Sequence, residues 1–332
     1  MDDGALKTLF LPLETGEVAV GDGNWLFLGA DVPPFDCPVA KPNLHAVQGF
    51  RPTFNALTAT KFTVSPTVPD GEFSGALILL SRHRGQNRAF LNQALDRVKA
   101  GGTILVSGAK TDGIAPIAKE ISELFAISGN ISKNHAKVFW FENQGTARFE
   151  EPAEALVDGR FLTAPGMFSS QHIDPGSAFL VEHLPADMKG NIADFCAGWG
   201  YLAAEAALKC SALKSIALYE ADYASLEAAK INMHNIAPAM PTTYLWQDLI
   251  GEKAKGDFDT IIMNPPFHQG RAADAGIGNA IIRNAHNALH KGGKLYLVAN
   301  RALPYEATLS ACFFKTGELA RNNYYKVLWA TK

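Results

Sequence analysis

Four consecutive residues, Asn264-Pro265-Pro266-Phe267, follow an apolar run at residues 258–263 and have the chemistry needed to hold a planar amine. Each proline fixes its own φ and lacks an N–H, and a residue that precedes a proline is held extended. We therefore expect the Asn264 side chain and nearby backbone carbonyls to accept the hydrogens of an NH2 group, with Phe267 stacked on its ring. The alternative is a strand that ends at prolines beside a core phenylalanine.

Three further positions in the second half lie at the ends of predicted strands, where ligand contacts are expected. A glycine-containing turn at residues 194–200 opens a helix at Tyr201, so its backbone can approach a ligand closely. Glu220 ends the next strand, where a carboxylate can accept two hydrogen bonds from a ribose diol. Asp248 follows the third strand, where an acid can accept from an adenine amino group. The candidate cofactor-binding residues among these are Asp194, Gly198, Gly200, Glu220 and Asp248.

The order of these elements favours a nucleoside that carries an amino-acid tail. A dinucleotide is disfavoured because the turn has no intact G-x-G-x-x-G to seat a pyrophosphate. S-adenosylmethionine fits a glycine turn, a ribose acid, an adenine acid and an amine-binding tetrad at successive strand ends. We therefore predict S-adenosylmethionine as the cofactor.

Strand-like and helix-like segments alternate through the second half of the chain. Such alternation predicts an α/β fold with a mostly parallel sheet covered by helices on both faces, and ligands bind beyond the carboxyl ends of its strands. The predicted strands are Asn191–Cys196, Ser215–Tyr219, Thr242–Trp246, Phe258–Met263, Lys294–Ala299 and Tyr325–Ala330, and the predicted helices are Tyr201–Cys210, Ala224–Asn235 and Ala280–His290.

The first half has the pattern of a degenerate copy of the second. Residues 100–106 match residues 291–297 at an offset of 191, and residues 137–140 match residues 326–329 at an offset of 189. This half has neither the Asn-Pro-Pro-Phe tetrad nor a glycine-rich loop followed by an acid. We predict a first domain at 1–150 and a catalytic domain at 151–332. The alternative to duplication is that the two halves share only a general alternation of strands and helices.

Composition excludes several classes of protein. The 332 residues carry 30 basic and 33 acidic side chains, a formal net charge of −3, so RNA contacts must come from a local patch. The four cysteines are scattered and the histidines show no ligand spacing, which argues against a zinc site. No segment has the length of a membrane span and no signal peptide is evident. We expect a cytoplasmic monomer that holds no metal and contacts no membrane.

The motifs of the second half resemble the class I methyltransferases that modify exocyclic or amide nitrogen. Three segments resemble one family more specifically: F-L-T-A-P-G-M-F-S at 161–169, D-P-G-S at 174–177 and V-A-N-R-A-L-P-Y at 298–305. They are similar to the bacterial ribosomal RNA small-subunit methyltransferase C family, which methylates N2 of a 16S rRNA guanine. The similarity is clear over residues 160–332 and faint over 1–150.

This resemblance implies two tandem Rossmann-like methyltransferase domains, of which the first helps to bind substrate and to fold. It implies that ribosomal RNA or the small ribosomal subunit is the partner. Catalytic roles would belong to Asn264, Pro265 and Phe267, and Phe168 and Asn264 would join the cofactor-binding residues. The family has glycine where this chain has Cys196. Cysteine would impair a site that needs positive φ, and would fit an extended strand end.

The expected reaction needs positioning more than chemical activation. Acceptance of the two amine hydrogens by Asn264 and the Pro265 carbonyl would turn the delocalised nitrogen lone pair toward the sulfonium methyl group. A base in helical RNA must first be unstacked to enter a deep pocket. Phe267 would then stack on it, and the basic loop with Arg82, Arg84 and Arg88 is the candidate phosphate contact.

Other functions remain open from the motifs. A 23S rRNA guanine, adenine N6 in tRNA or DNA, and the glutamine of a release factor are all methylated with similar tetrads. A noncatalytic RNA-binding scaffold is an alternative of a different class, which Cys196 makes conceivable.

Overall fold

The computed structural model describes residues 4–145, 147–150, 156–266 and 275–332. The chain divides into two compact units, residues 1–153 and 154–332. Phe267 lies outside the described residues.

The first unit is a seven-stranded mixed sheet with helices. Its sheet order is β3-β2-β1-β4-β5-β7-β6, in which β7 alone runs antiparallel to its neighbours β5 and β6. Its elements are α1 (Gly4–Glu14), β1 (Trp25–Leu28), β2 (Leu44–Val47), α2 (Arg51–Ala59), β3 (Thr63–Ser65), β4 (Phe73–Leu79), α3 (Arg84–Arg97), β5 (Val98–Ala109), α4 (Ile114–Leu124), β6 (Ile127–Lys133) and β7 (Ala136–Glu142).

The second unit has a seven-stranded sheet of the same order, β12-β11-β10-β13-β14-β16-β15, and a separate two-stranded ribbon, β8-β9. Its elements are β8 (Leu156–Val157), β9 (Phe161–Leu162), α5 (Pro175–His183), β10 (Lys189–Phe195), α6 (Tyr201–Lys209), β11 (Ala212–Glu220), α7 (Tyr223–Ile236), β12 (Thr242–Trp246), β13 (Phe258–Met263), α8 (Ala275–Ala288), β14 (Leu289–Asn300), α9 (Tyr305–Cys312), β15 (Lys315–Arg321) and β16 (Tyr325–Thr331).

Both faces of this second sheet are buried, which explains why its strands are apolar at successive positions. Ile192 and Ile262 pack on one face in a cluster with residues of α5, α6 and α7. Ala193 and Ile261, their neighbours along β10 and β13, pack on the other face with residues of α8 and α9. The predicted α/β fold with helices on both faces is confirmed.

The strand pairing confirms the duplication. Thr103 pairs with Glu142 across β5 and β7, and Lys294 pairs with Thr331 across β14 and β16. These two pairs are related by shifts of 191 and 189 residues, the same offsets that relate the repeated sequence segments. Because seven consecutive pairs of each ladder match in this way, the likeness extends beyond general strand–helix alternation.

Several predicted element ends differ from the structure, and two of these differences have a clear physical cause. The helix expected over 280–290 ends at Ala288, because Leu289 already pairs with Phe258 at the irregular start of β14. The strand expected to reach Cys196 ends at Phe195, because Cys196 has a left-handed φ of 62° and leaves the sheet.

Candidate functional site

A cleft opens at the carboxyl ends of β10 and β13, the edge where an α/β sheet of this kind binds ligands. It brings together three of the predicted site residues, Phe168, Gly198 and Asn264. The other lining residues are Ser169, Asp174, Ser177, Cys196, Ala197, Trp199, Tyr201 and Leu202.

The Asn264 side chain is held by two hydrogen bonds that fix which way its amide faces. Its Nδ2 donates to Asp174 Oδ2 at 3.0 Å and to Ser177 Oγ at 2.9 Å. A carboxylate can only accept, so the amide nitrogen must face Asp174 and the carbonyl oxygen must face away. Among the described residues none donates to Asn264 Oδ1. Asn264 therefore keeps Oδ1 as an acceptor.

Asp174 and Ser177 are the residues of this site that the sequence analysis missed. Asp174 is the N-cap of α5, where its Oδ2 also accepts from the Ser177 backbone N–H at 2.7 Å, and Pro175 occupies the first turn. The D-P-G-S segment is a helix-start signal, so the helix could have been predicted. Its second role, holding an asparagine 87–90 residues away, could not.

The glycine turn connects β10 to α6, and three of its residues have left-handed φ values. Cys196, Gly198 and Gly200 have φ values of 62°, 54° and 88°. The turn is tied to β11 by the Ala197 N–H, which donates to the Tyr219 carbonyl at 3.0 Å. Glycine at 198 and 200 removes the steric cost of left-handed geometry, whereas Cys196 retains it.

Asp194, predicted to contact the cofactor, is fully buried below this turn and does not line the cleft. Its Oδ2 accepts from the Ala203 N–H in the first turn of α6 at 3.0 Å. Its Oδ1 has no hydrogen-bond partner within the described parts of the chain. Burial raises the pKa of Asp194 well above its usual value, and the nearby Glu220 carboxylate raises it further. The observed role of Asp194 is to position α6.

Glu220 lies beside the turn at the end of β11. Its Oε2 accepts from the Gly198 N–H at 2.7 Å and its Oε1 accepts from the Asp222 N–H at 2.8 Å. Burial raises the pKa of Glu220 to about 7, although these N–H groups favour its charged form. Each carboxylate oxygen keeps lone-pair capacity for a further donor.

The remaining predicted residues of the second unit are placed as follows. Phe168 has 59% of its surface exposed, and its carbonyl accepts from Trp199 Nε1 at 2.8 Å. Asp248 follows β12 and caps its own turn, since its Oδ1 accepts from the Ile250 N–H at 2.9 Å; it does not line the cleft. Pro265 is buried and Pro266 is exposed.

Two comparisons with known proteins identify the family. The family model of the methyltransferase small domain matches residues 158–329. A protein of Idiomarina loihiensis named ribosomal RNA small subunit methyltransferase C is 30% identical over 270 residues, which are 78% of this chain and 79% of that protein. A Shewanella sediminis protein of the same name is 29% identical, with 78% of each chain covered.

This chain belongs to the ribosomal RNA small subunit methyltransferase C family.

A solved member shows the same two-unit fold. The T. thermophilus 16S rRNA N2 G1207 methyltransferase, solved in complex with AdoMet and guanosine, superposes with a TM-score of 0.81 at 23% identity. The match covers 99% of this chain and 92% of that structure. The predicted family, its enzyme class and its duplicated α/β architecture are thus confirmed.

The first unit has the same fold as the second but lacks the residues of its site. Strand registers place Gly29 at the position of Cys196, Gln48 at that of Glu220 and Leu79 at that of Asn264. Gln48 Nε2 donates to the Ala30 carbonyl at 2.6 Å, within the turn that corresponds to the ligand turn. The carboxylate and the amide of the second unit therefore have no counterparts here.

The basic segment at residues 82–88, predicted as a loop, includes the first turn of α3, which begins at Arg84, and its charge is partly neutralised. Arg84 forms an ion pair with Glu120, and Arg88 Nε donates to the same carboxylate at 3.0 Å. Partial burial raises the pKa of Glu120, but the hydrogen bonds from both arginines outweigh burial, so the pKa lies below its usual value. Arg82 is exposed and has no ion-pair partner within the described residues. The three side chains therefore differ in how freely they could contact phosphate.

The described residues contain neither a metal-binding cluster nor a membrane-spanning helix. Within residues 4–145, 147–150, 156–266 and 275–332, no cluster of three or more His, Cys, Asp or Glu side chains could hold a metal ion. None of the helices in these ranges is both long and apolar enough to span a membrane.

Cys196 has a Cβ at a position where the structure requires positive φ. Left-handed geometry costs a residue with a Cβ about 1–2 kcal/mol, and the added freedom of glycine in the unfolded chain costs about 0.5–1 kcal/mol. We predict that Cys196→Gly increases the free energy of unfolding of the second unit by about 0.5–1 kcal/mol, measured by urea denaturation.

Cys196→Ala is the matched control, because it removes the thiol and keeps the Cβ. It should leave stability unchanged or lower it. Equal stabilisation by both substitutions would show that the thiol, and not the backbone geometry, is the source of the effect.

Proposed function

We propose that this chain transfers a methyl group from S-adenosylmethionine to the exocyclic N2 of a guanine in small-subunit ribosomal RNA. The observation that carries this proposal is the orientation of Asn264, whose Nδ2 donates to Asp174 Oδ2 and Ser177 Oγ so that Oδ1 is left to accept. A guanine N2 amine presents two hydrogens to such an acceptor. The family relatives and the T. thermophilus structure, named for this rRNA activity, support the same substrate.

The second unit has residues that fit the cofactor predicted from sequence. Glu220 has remaining acceptor capacity for the ribose hydroxyls, and Gly198 of the adjoining turn lines an open cleft. Phe168 presents an exposed ring at the same cleft, and Asp248 follows the adjacent strand end. When bound, S-adenosylmethionine supplies a methyl group on a positively charged sulfur.

The contribution of the chain is to hold the target amine in one orientation. Asn264 Oδ1 accepts one amine hydrogen and the Pro265 carbonyl accepts the other, which directs the nitrogen lone pair away from both acceptors and into the cleft. Phe267 stacks on the base. Orientation of two reactants can contribute about 7–11 kcal/mol, so positioning is the main catalytic effect.

Asp174 and Ser177 hold the acceptor toward the substrate, because rotation of the Asn264 amide would place Oδ1 against the Asp174 carboxylate, where neither oxygen has a hydrogen to donate, and would break both hydrogen bonds from Nδ2. The first unit, without counterparts of Glu220 and Asn264, serves substrate binding and folding. The enzyme acts as a cytoplasmic monomer on free ribosomal RNA or on the small subunit.

Nucleoside analysis tests this proposal. Purified protein is incubated with isotopically labelled S-adenosylmethionine and with unmethylated 16S rRNA, small subunits, 23S rRNA or tRNA, and the RNA is digested for mass spectrometry. We expect labelled N2-methylguanosine from 16S rRNA or from small subunits. Label in N6-methyladenosine, in 23S rRNA alone or in a release factor would contradict the proposal.

The role of Asn264 predicts a separation of binding from chemistry. Asn264→Ala should retain cofactor affinity by calorimetry and lower kcat by about 10²–10³-fold, the typical loss for one positioned polar group that acts on the transition state. Asp174→Asn should lower kcat less, because it permits the Asn264 amide to rotate without excluding the active orientation.

Asn191→Ala is a matched control, since Asn191 lies toward the amino end of β10 and its Oδ1 accepts from Ser215 Oγ. It should have no effect on kcat. A loss of cofactor binding in Asn264→Ala equal to its loss of turnover would contradict the assigned role.

The raised pKa of Glu220 predicts pH-dependent cofactor binding. Ribose hydroxyls donate to the charged carboxylate, so protonation competes with binding as the pH falls through the folded pKa of about 7. Affinity should be about tenfold weaker at pH 6 than at pH 8, measured by calorimetry. Glu220→Gln should bind more weakly and remove this pH dependence; a wild-type affinity that is constant over this range would exclude Glu220 as the ribose acceptor.

The basic segment at residues 82–88 predicts opposite effects from two sets of substitutions. Replacement of Arg82, Arg84 and Arg88 by Ala should weaken RNA binding and make its salt dependence shallower, because each phosphate contact contributes about 0.7–0.9 to the slope. Glu120→Gln removes the acid that pairs with Arg84 and Arg88 and should strengthen RNA binding. Unchanged RNA affinity in both variants would exclude this basic segment from the RNA interface.

A further inference from the structure

An exposed tyrosine lies at the turn between β15 and β16, next to the loop that follows β14. Tyr324 has 74% of its surface exposed. We call the surface formed by Arg301, Asn322, Asn323 and Tyr324 the Tyr324 platform. None of these four residues has a role in the proposed reaction.

The backbone of the platform is fixed by its own hydrogen bonds. The Tyr324 N–H donates to Asn322 Oδ1 at 2.9 Å, and the Tyr324 carbonyl accepts from the Arg301 N–H at 3.0 Å. The two loops are thereby joined. A ring on a fixed backbone has less conformational entropy to lose when it contacts a ligand.

The platform has an excess of positive charge. Arg301 is exposed, with Nη1 3.5 Å from the Asn323 carbonyl, and no carboxylate among the described residues pairs with it. The acids on the adjoining elements are already neutralised. Glu318 accepts from Arg321 Nε at 2.9 Å, and Glu306 accepts from Lys326 Nζ at 2.6 Å.

A short chain of contacts connects the platform to the cleft. The Tyr324 ring lies 6.5 Å from the ring of Tyr325, centroid to centroid. A Cβ added at Gly176 would lie 3.1 Å from the Tyr325 ring, so Tyr325 packs closely against this glycine. Gly176 lies between Asp174 and Ser177, the two acceptors of the Asn264 amide. The platform is thus part of the surface next to the amine-binding site.

We propose that the Tyr324 platform binds the RNA strand beside the target guanine. This inference rests on the proposed function. A guanine that enters the cleft must leave its stack, which also exposes a face of the adjacent base. Tyr324 stacks on that base and Arg301 contacts its phosphate, a pairing of aromatic and cationic groups that recognises single-stranded RNA.

The second unit offers a matched control surface with the same chemistry. Phe314 is 82% exposed and Lys315 Nζ lies 5.7 Å from its ring centroid. The Phe314 N–H donates to the Thr331 carbonyl, and Thr331 pairs with Lys294 toward the amino end of β14. This aromatic–cation pair therefore lies at the edge of the sheet away from the cleft.

Direct RNA binding tests the inference independently of turnover. Fluorescence anisotropy is measured with a short labelled single-stranded RNA that contains a central guanine, for wild type, Tyr324→Ala, Tyr324→Phe, Arg301→Ala and Phe314→Ala. Tyr324→Ala should raise Kd on the order of tenfold, consistent with the loss of one stacked base. Tyr324→Phe should resemble wild type, and Arg301→Ala should raise Kd and reduce the salt slope.

Methyl transfer to free guanosine should be the same in all these variants, because a nucleoside has no neighbouring base. Equal RNA affinity of Tyr324→Ala and Phe314→Ala would overturn the inference. A wild-type protein that binds the RNA through Tyr324 but methylates neither RNA nor guanosine would leave the platform intact and overturn the proposed function.

Discussion

The orientation of the amine-binding site depends on two hydrogen bonds from one amide nitrogen. Asn264 Nδ2 donates to Asp174 Oδ2 and Ser177 Oγ, so the side chain cannot exchange its oxygen and nitrogen without loss of both bonds. An asparagine is both donor and acceptor in solution, and the fold turns it into an acceptor alone. The start of α5 supplies that constraint, because the aspartate that caps the helix also accepts from Asn264.

Comparison of the two units distinguishes the residues that the fold requires from those that the proposed reaction requires. Both units keep the same strand order and positive φ at equivalent turn positions, Gly29 and Cys196. The first unit has Gln48 and Leu79 in place of Glu220 and Asn264. Sheet architecture thus persists after the acceptors are lost. In the second unit, by contrast, the backbone tolerates left-handed geometry at a cysteine that lines the cleft.

Much of the fold could be predicted because buried parallel strands are apolar at successive positions. The predictions at Thr242–Trp246 and Phe258–Met263 match the strands of the structure, and the repeat offsets match the strand registers. The site was less predictable. Asp194 has the sequence position of a ligand contact, yet burial makes it a support for α6. Asp174 could be recognised as a cap but not as a partner of Asn264, since no local pattern records a contact between distant residues.

A crystal structure of the chain with S-adenosylhomocysteine and guanosine would show how the target amine is held. We predict that the guanine N2 lies within hydrogen-bond distance, about 2.7–3.2 Å, of both Asn264 Oδ1 and the Pro265 carbonyl, with the Asp174 and Ser177 contacts retained. A complex in which N2 contacts neither oxygen, or in which the Asn264 amide has rotated away from Asp174, would contradict it.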